Sequence, residues 1–182
     1  MKGSAMNAQV VEPYASALME LAQGVNKVDD FADNARSLLT ALQESEELQA
    51  FVVNPLIGSE DKKGVLRSIC GRDTDSYFLN FLLLLVDRRR ILFLESICEE
   101  FVALQRKLNN IVLAEVTTAT ALTRSQEDAI ADRVKDMTDA ESVELDITTD
   151  ADLLGGVIIK VGSQVFDASL RGQLRRIRLD LV

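Results

Sequence analysis

The first part of the chain places hydrophobic residues at helical spacing, interrupted by short polar breaks. Val11, Ala15, Leu18 and Ala22 lie three or four residues apart, which puts them on one face of an α-helix. Five further segments follow the same rule. The six predicted helices cover residues 11–25, 31–42, 46–53, 59–70, 77–87 and 91–108. Because their connections are short, we predict a compact six-helix bundle over residues 1–108.

The pattern changes near residue 109. Residues 111–122 are rich in β-branched side chains and alternate in polarity, as expected of a strand. Thr123 and Gln126 form a capping box ahead of a polar helix. Three more strands and a last helix follow, at residues 143–147, 154–161, 165–166 and 170–181. We therefore expect a mainly α fold, with the six-helix bundle followed by a small C-terminal α+β domain over residues 109–182.

The predicted fifth helix is apolar around its whole circumference. Residues 78–86 are apolar except Asn80, so apolar side chains point in every direction. The first helix is apolar over more than half of its circumference, because Tyr14, Leu21 and Val25 extend its main stripe. A central position in the core accounts for most of these residues. The surplus of apolar surface on two helices indicates a sharper alternative, a groove that accepts an amphipathic partner helix.

The amino-acid composition and the net charge exclude several classes of function. The 182 residues contain no histidine or tryptophan and carry a net charge of −9. Without histidine, an imidazole base, a His-based triad and an ordinary zinc site are excluded. The negative charge disfavours a protein that grips nucleic-acid phosphate. Cys70 and Cys98 are too widely spaced for a disulfide framework or a metal knuckle, and we interpret them as buried thiols rather than redox groups.

The chain shows no targeting or membrane signal. Residues 1–9 lack the apolar core of a secretory signal. The most apolar stretch, residues 77–86, has about half the length that a bilayer requires. We expect a soluble intracellular protein with no direct membrane insertion, although this leaves room for a position beside a membrane complex.

Two groups of arginines admit two interpretations. Residues 88–90 are all arginine and directly follow the fifth helix, where complementation of the helix dipole together with solvation is the favoured interpretation and a specific anion site is the alternative. Arginines also make the last helix basic. A solvated face explains the last helix more simply than docking on an acidic partner, but both interpretations stand.

The glycines and aspartates of the second part do not form a recognisable site. No Lys-Ser/Thr follows Gly155-Gly156 or Gly162, as a phosphate-binding loop requires. We place the first two glycines inside a strand and the third in a tight turn. Asp150 and Asp152 lack a third metal ligand. We therefore predict no catalytic, cofactor-binding or metal-binding residues and no cofactor.

Three stretches resemble one known family, in the same order and at the same spacing. They are YASALMELA at residues 14–22, NFLLLL at 80–85 followed by Arg88-Arg89 and the sixth helix to residue 101, and LGGVIIKVG at 154–162 followed by FDASLRGQL at 166–174. By these motifs the chain resembles the delta subunit of F-type ATP synthases, called the oligomycin-sensitivity-conferring protein in mitochondria. The likeness extends from about residue 10 to residue 179.

The resemblance implies a mechanical function without catalysis. In that family, the six-helix bundle binds the N-terminal helix of an alpha subunit in a groove formed by helices one and five. The C-terminal module holds the end of the peripheral stalk, which is built from b-type subunits. The subunit is thereby a connector that keeps the catalytic head from turning with the central shaft during proton-driven ATP synthesis.

The resemblance also implies a location and a set of contact residues. The protein is expected on the cytoplasmic or stromal face of a plasma or thylakoid membrane, peripheral to the membrane complex, in a bacterial, cyanobacterial or plastid source. The expected groove residues are Tyr14, Ala15, Leu18, Leu21, Phe78, Phe81, Leu82 and Leu85, and the expected stalk contacts are Leu174 and Ile177. Phe81→Asp is expected to abolish binding of the alpha-subunit peptide and to leave the fold intact.

Three alternatives to a stator connector remain at this point. An unrelated helical adaptor would use the same groove for another partner. An enzyme would have to use carboxylates or a reactive cysteine. A nucleic-acid-binding protein is the least favoured, because the chain is acidic.

Overall fold

The computed structural model describes residues 2–71, 74–138 and 140–172. The chain divides into two compact units, Met1–Gln105 and Arg106–Val182, which we call the helical unit and the sheet unit. The predicted boundary, between residues 108 and 109, lies slightly further along the chain, at the end of the last helix before the sheet.

The described part of the helical unit consists of α-helices and one short 3-10 turn. The helices are α1 Lys2–Gly24, α2 Val28–Glu44, α3 Glu46–Val53, α4 Ser59–Cys70, α5 Ser76–Asp87 and α6 Leu94–Leu108, and the 3-10 turn is Ile91–Phe93. The end of α6 continues past the boundary into the sheet unit.

Local residues set the ends of these helices. The Ser45 hydroxyl accepts a hydrogen bond from the Leu48 amide at the start of α3, and the Asp75 carboxylate accepts one from the Tyr77 amide at the start of α5. Such bonds satisfy amides that the helix itself leaves unpaired. Gly71 ends α4 with a φ of 62°, a conformation that glycine adopts without steric cost.

The core of the helical unit draws buried side chains from all six helices and the 3-10 turn. Phe31 on α2 meets Phe78 on α5 edge to face, with ring centroids 5.7 Å apart. Leu82 and Leu85 on α5 and Phe101 on α6 have no exposed surface. The helix with the most apolar sequence therefore lies against the centre of this core.

The sheet unit holds a four-stranded sheet with the strand order β2-β1-β3-β4. Its elements are β1 Ile111–Thr118, α7 Arg124–Thr138, β2 Ser142–Thr149, a 3-10 turn Ala151–Leu153, β3 Val157–Val161 and β4 Gln164–Asp167. β1 is parallel to β2 and antiparallel to β3, and β3 is antiparallel to β4. The capping box is present, because Gln126 Oε1 accepts from the Thr123 amide and hydroxyl.

One face of this sheet forms the core of the unit. Ala114 and Val116 on β1 are buried together with Val134 on α7. On the other face, Lys160 Nζ lies 2.9 Å from Glu115 Oε1, and the two residues are register partners. The alternation of the strands thus separates an apolar face under α7 from a polar face.

Two predicted strands are longer than the observed ones. The strand predicted over residues 111–122 ends at Thr118, whose hydroxyl donates to the Thr120 carbonyl and bends the chain there. The strand predicted over residues 154–161 begins only at Val157, since Gly155 and Gly156 have φ values of 152° and 86°. Placing these glycines inside a strand was wrong. The prediction of a mostly helical chain with a small C-terminal sheet is confirmed.

Candidate partner-binding site on the helical unit

Most of the predicted groove residues lie in the core of the helical unit. Of the eight, six are buried and only Tyr14 and Leu21 are half-buried. The buried residues are Ala15, Leu18, Phe78, Phe81, Leu82 and Leu85. The two predicted stalk contacts, Leu174 and Ile177, lie outside the described residues.

α5 has an inner and an outer apolar face. The buried residues Phe78, Phe81, Leu82 and Leu85 follow the three-and-four spacing of one helix face. On the outer side, Tyr77 is 49% exposed and Leu84 is 44% exposed. Phe81, expected to point outward, is only 7% exposed. That expectation was wrong, because a helix that is apolar all round gives no sequence signal of which side faces the core.

α1 and α5 meet at an aromatic contact. The rings of Tyr14 and Phe81 pack edge to face, with centroids 6.4 Å apart and an interplanar angle of 64°. On α1, Leu21 lies two turns after Tyr14 on the same face, and on α5, Tyr77 and Leu84 flank Phe81 by one turn on either side. We call Tyr14, Leu21, Tyr77 and Leu84 the outer strip.

A charged pair fixes the start of α5. Asp75 receives the Tyr77 amide at 2.8 Å and lies 2.6 Å from Lys27 Nζ, which belongs to the α1–α2 connection. The hydrogen bond from Lys27 holds the pKa of the Asp75 carboxyl below its usual value and raises the pKa of the Lys27 ammonium. The pair therefore ties the beginning of the outer strip on α5 to the end of α1.

The sheet unit contains a compact clasp built from the motif residues. An added Cβ at Gly156 would clash with the Ala168 carbonyl oxygen, so only glycine allows the two backbone segments to approach this closely. The Ser169 hydroxyl donates to Asp167 Oδ1 at 2.6 Å and accepts from the Gly172 amide at 3.0 Å. This arrangement caps the helix that begins at residue 170.

The described residues offer little for catalysis. Burial raises the pKa of the Cys98 thiol to about 12 and also raises the pKa of the Cys70 thiol. Both thiols are therefore poor nucleophiles near neutral pH. Within the described ranges, no cluster of three or more acidic or cysteine side chains could hold a metal ion.

Comparison with known proteins decides the family. The family model described as ATP synthase delta (OSCP) subunit matches residues 10–181. The chain belongs to the ATP synthase delta (OSCP) family. The resemblance seen in the three sequence motifs is thereby confirmed.

Individual relatives agree over nearly full length. The ATP synthase subunit delta of a Picosynechococcus species is 71% identical, covering 100% of this chain and 98% of the relative. The subunit of the same name from a Synechocystis species is 56% identical with the same coverage. A chain in the cryo-EM structure of the Toxoplasma gondii mitochondrial ATP synthase hexamer has a TM-score of 0.76 at 25% identity, covering 94% of this chain and 97% of that chain.

Family membership carries a functional conclusion. Members of the delta (OSCP) family are structural subunits of F-type ATP synthase and not catalytic ones, which confirms the prediction of a connector subunit that is not an enzyme. None of the described helices is both long and apolar enough to cross a bilayer. By its family, the protein is part of a membrane-associated ATP synthase.

Sequence reasoning missed half of the outer strip. Tyr77 and Leu84 were not among the predicted contact residues, although both lie on the helix that was singled out. Their seven-residue spacing places them on one helix face, but the buried residues Phe78 and Leu85 have the same spacing, so the sequence alone could not tell the two faces apart.

Proposed function

We propose that the six helices act as one bundle that binds the N-terminal helix of an alpha subunit across α1 and α5. The observation that supports this proposal is the contact between Tyr14 and Phe81. Exposed apolar side chains of the outer strip, Tyr77 and Leu84, flank that contact. An amphipathic helix laid along this strip would cover Tyr77 and Leu84, which the chain itself leaves about half exposed.

The buried groove candidates have an indirect role in this proposal. Ala15, Leu18, Phe78, Phe81, Leu82 and Leu85 form the support on which the outer strip rests. Among them, the ring of Phe81 packs directly against Tyr14 and so links α5 to α1. They contribute to binding by positioning Tyr14, Tyr77 and Leu84.

The sheet unit is proposed to hold the b-type stalk subunits. Its clasp of Gly156, Asp167 and Ser169 fixes the helical residues 170–172, and the proposed contacts Leu174 and Ile177 follow them in sequence, outside the described residues. A firmly anchored helix suits a contact that has to sustain torque between the stalk and the catalytic head. We also propose that the protein works on the cytoplasmic or stromal side of a plasma or thylakoid membrane.

Leu84→Asp tests the groove. A carboxylate in the centre of an apolar contact loses its hydration without gaining a partner, so binding of a synthetic alpha-subunit N-terminal peptide should weaken by about tenfold or more. Calorimetric titration of the full chain measures this. The circular dichroism spectrum should stay unchanged, because Leu84 is 44% exposed.

Leu56→Asp is the matched control. Leu56 is 92% exposed in the α3–α4 connection, outside α1 and α5, so the same substitution there should leave peptide affinity unchanged. Equal affinity of Leu84→Asp and wild type would refute the groove assignment. A wild-type chain that fails to bind the peptide would favour the adaptor alternative.

A further inference from the structure

The helical unit also has an opening of mixed polarity, which is lined by α3, the α3–α4 connection, the start of α4, the end of α5 and the 3-10 turn. It is a cavity of about 410 Å³, and we call it the Lys62 cavity. Three of its lining side chains are apolar and strongly exposed: Val53 and Leu92 at 52% and Leu56 at 92%. None of the outer-strip residues lines it. A concave opening that combines exposed apolar side chains with a few polar groups is typical of a binding site.

A buried ammonium group lies in this cavity. Lys62 is only 8% exposed, and its Nζ donates to the Val52 carbonyl oxygen at 2.6 Å. That bond uses one of the three N–H donors of the ammonium. Within the described ranges, no carboxylate forms a salt bridge with Lys62, and burial lowers its pKa. A buried cation with a neutral partner is stabilised by an added anion.

Arg89 adds a second positive charge to the cavity. It lines the opening and is exposed, and its φ of 56° is held by a hydrogen bond from its amide to the Val86 carbonyl. Its neighbours Arg88 and Arg90 are exposed as well, and the described residues provide none of the three with a salt bridge. No acidic residue is found among the described residues that line the cavity, although the whole chain carries a net charge of −9.

We propose that the Lys62 cavity binds an apolar segment of a partner protein through one acidic side chain. The apolar residues of the segment cover Val53, Leu56 and Leu92, and its carboxylate accepts hydrogen bonds from Lys62 and Arg89. Hydrogen bonds between charged groups are the strongest kind for such a contact.

The shape of the site favours a protein segment over a membrane surface. An anionic bilayer would meet the exposed Arg88, Arg89 and Arg90 equally, whereas the ammonium of Lys62 is recessed and the walls around it are concave. A side chain can enter the cavity, but a flat headgroup layer cannot reach Lys62.

Two matched peptides test the proposal on the full-length chain. The probe is acetyl-Ser-Leu-Leu-Glu-Leu-Leu-Ser-amide, and the control replaces its glutamate with glutamine. Titrations followed by amide NMR shifts should show that the glutamate peptide binds about tenfold more tightly, with shifts around Val53, Leu56 and Leu92.

Substitutions of the basic residues test which of them recognise the glutamate of the peptide. Arg89→Gln, at an exposed position, should remove most of the preference for glutamate. Lys62→Met keeps the apolar stem and should do the same, with its circular dichroism spectrum as the check on folding. Arg88→Gln, next in sequence but outside the cavity lining, should keep the wild-type preference.

Three outcomes would overturn the proposal. The first is equal affinity for the two peptides, and the second is shifts confined to α1 and α5. The third is that the chain binds neither peptide but binds phosphatidylglycerol vesicles, and that Arg88→Gln and Arg89→Gln weaken this vesicle binding equally. Since the cavity and the outer strip share no residue, failure here leaves the alpha-subunit groove untouched.

Discussion

The two units reach their folds by different means. The helical unit buries large side chains such as Phe31, Phe78 and Phe101 in one core, to which every helix contributes buried residues. In the sheet unit, the buried cluster among the described residues consists of Ala114, Val116 and Val134, surrounded by partly buried neighbours. Its remaining order comes from strand ladders and the close backbone approach at Gly156.

Because of this difference, different kinds of substitution should destabilise the two units. A core of interlocking side chains is sensitive to lost volume, because the surrounding atoms cannot fill the space. A unit held by backbone proximity is sensitive to a single added methyl group at the point of approach. The helical unit keeps this packed interior while it leaves the apolar side chains of Tyr77 and Leu84 about half exposed.

Leu82→Ala should give the largest effect. Leu82 has no exposed surface, so removing its three outer carbons leaves a cavity and should lower the free energy of unfolding by about 2–5 kcal/mol. Urea unfolding followed by circular dichroism measures the change. Leu84→Ala, two residues away on the outer side, should change it by no more than about 0.5 kcal/mol. Comparable losses at both positions would contradict the inner and outer faces of α5.

Gly156→Ala should affect the sheet unit next most strongly. The added methyl would meet the Ala168 carbonyl at a φ of 86°, which should destabilise the unit by about 1–3 kcal/mol. Hydrogen exchange of peptides from β3 and β4 reports on this unit separately.

Gly162→Ala is the control for the clasp. Gly162 has a φ of 56° but open space around it, so its substitution isolates the backbone penalty of about 1 kcal/mol. If both glycine variants exchange at the same rate, close approach at Gly156 is not what holds the clasp.

Lys27→Met should give the smallest effect, and one that depends on pH. Because the folded-state pKa of Asp75 is lowered, its contribution to stability is present above the ordinary aspartate pKa and is lost as the pH falls through the lower, folded value. Lys27→Met removes the main cause of the shift, so carboxyl-carbon NMR should report a higher Asp75 pKa. Lys135→Met, on an exposed face of α7, should leave it unchanged.

Much of the fold follows from local sequence rules. The helix predicted over residues 46–53 has the observed bounds, because Ser45 caps its start and Pro55 keeps Asn54 out of the helical region. The capping box at Thr123 was likewise predictable from two residues. These features depend on neighbours along the chain.

The misplaced features depend on residues that are distant in sequence. Periodicity identified α5 as surplus apolar surface, but which side is buried depends on its neighbours: Phe81 packs against Tyr14 of α1, and Phe78 packs against Phe31 of α2. Leu84 is left exposed. Similarly, the local sequence predicts that Gly156 lies inside a strand, because the sequence does not show that the fold places Ala168 next to it. The Lys62 cavity was not foreseen at all, since its members come from positions 52 to 92.

The position of β1 has a mechanical consequence. This strand is the first element of the sheet unit after α6, and it lies inside the sheet, paired over eight register partners with β2 and over five with β3. Tension arriving along the chain from α6 is thus applied to an interior strand. Since ladder hydrogen bonds run across the strands, such a pull shears many bonds together instead of peeling them off one by one from an edge.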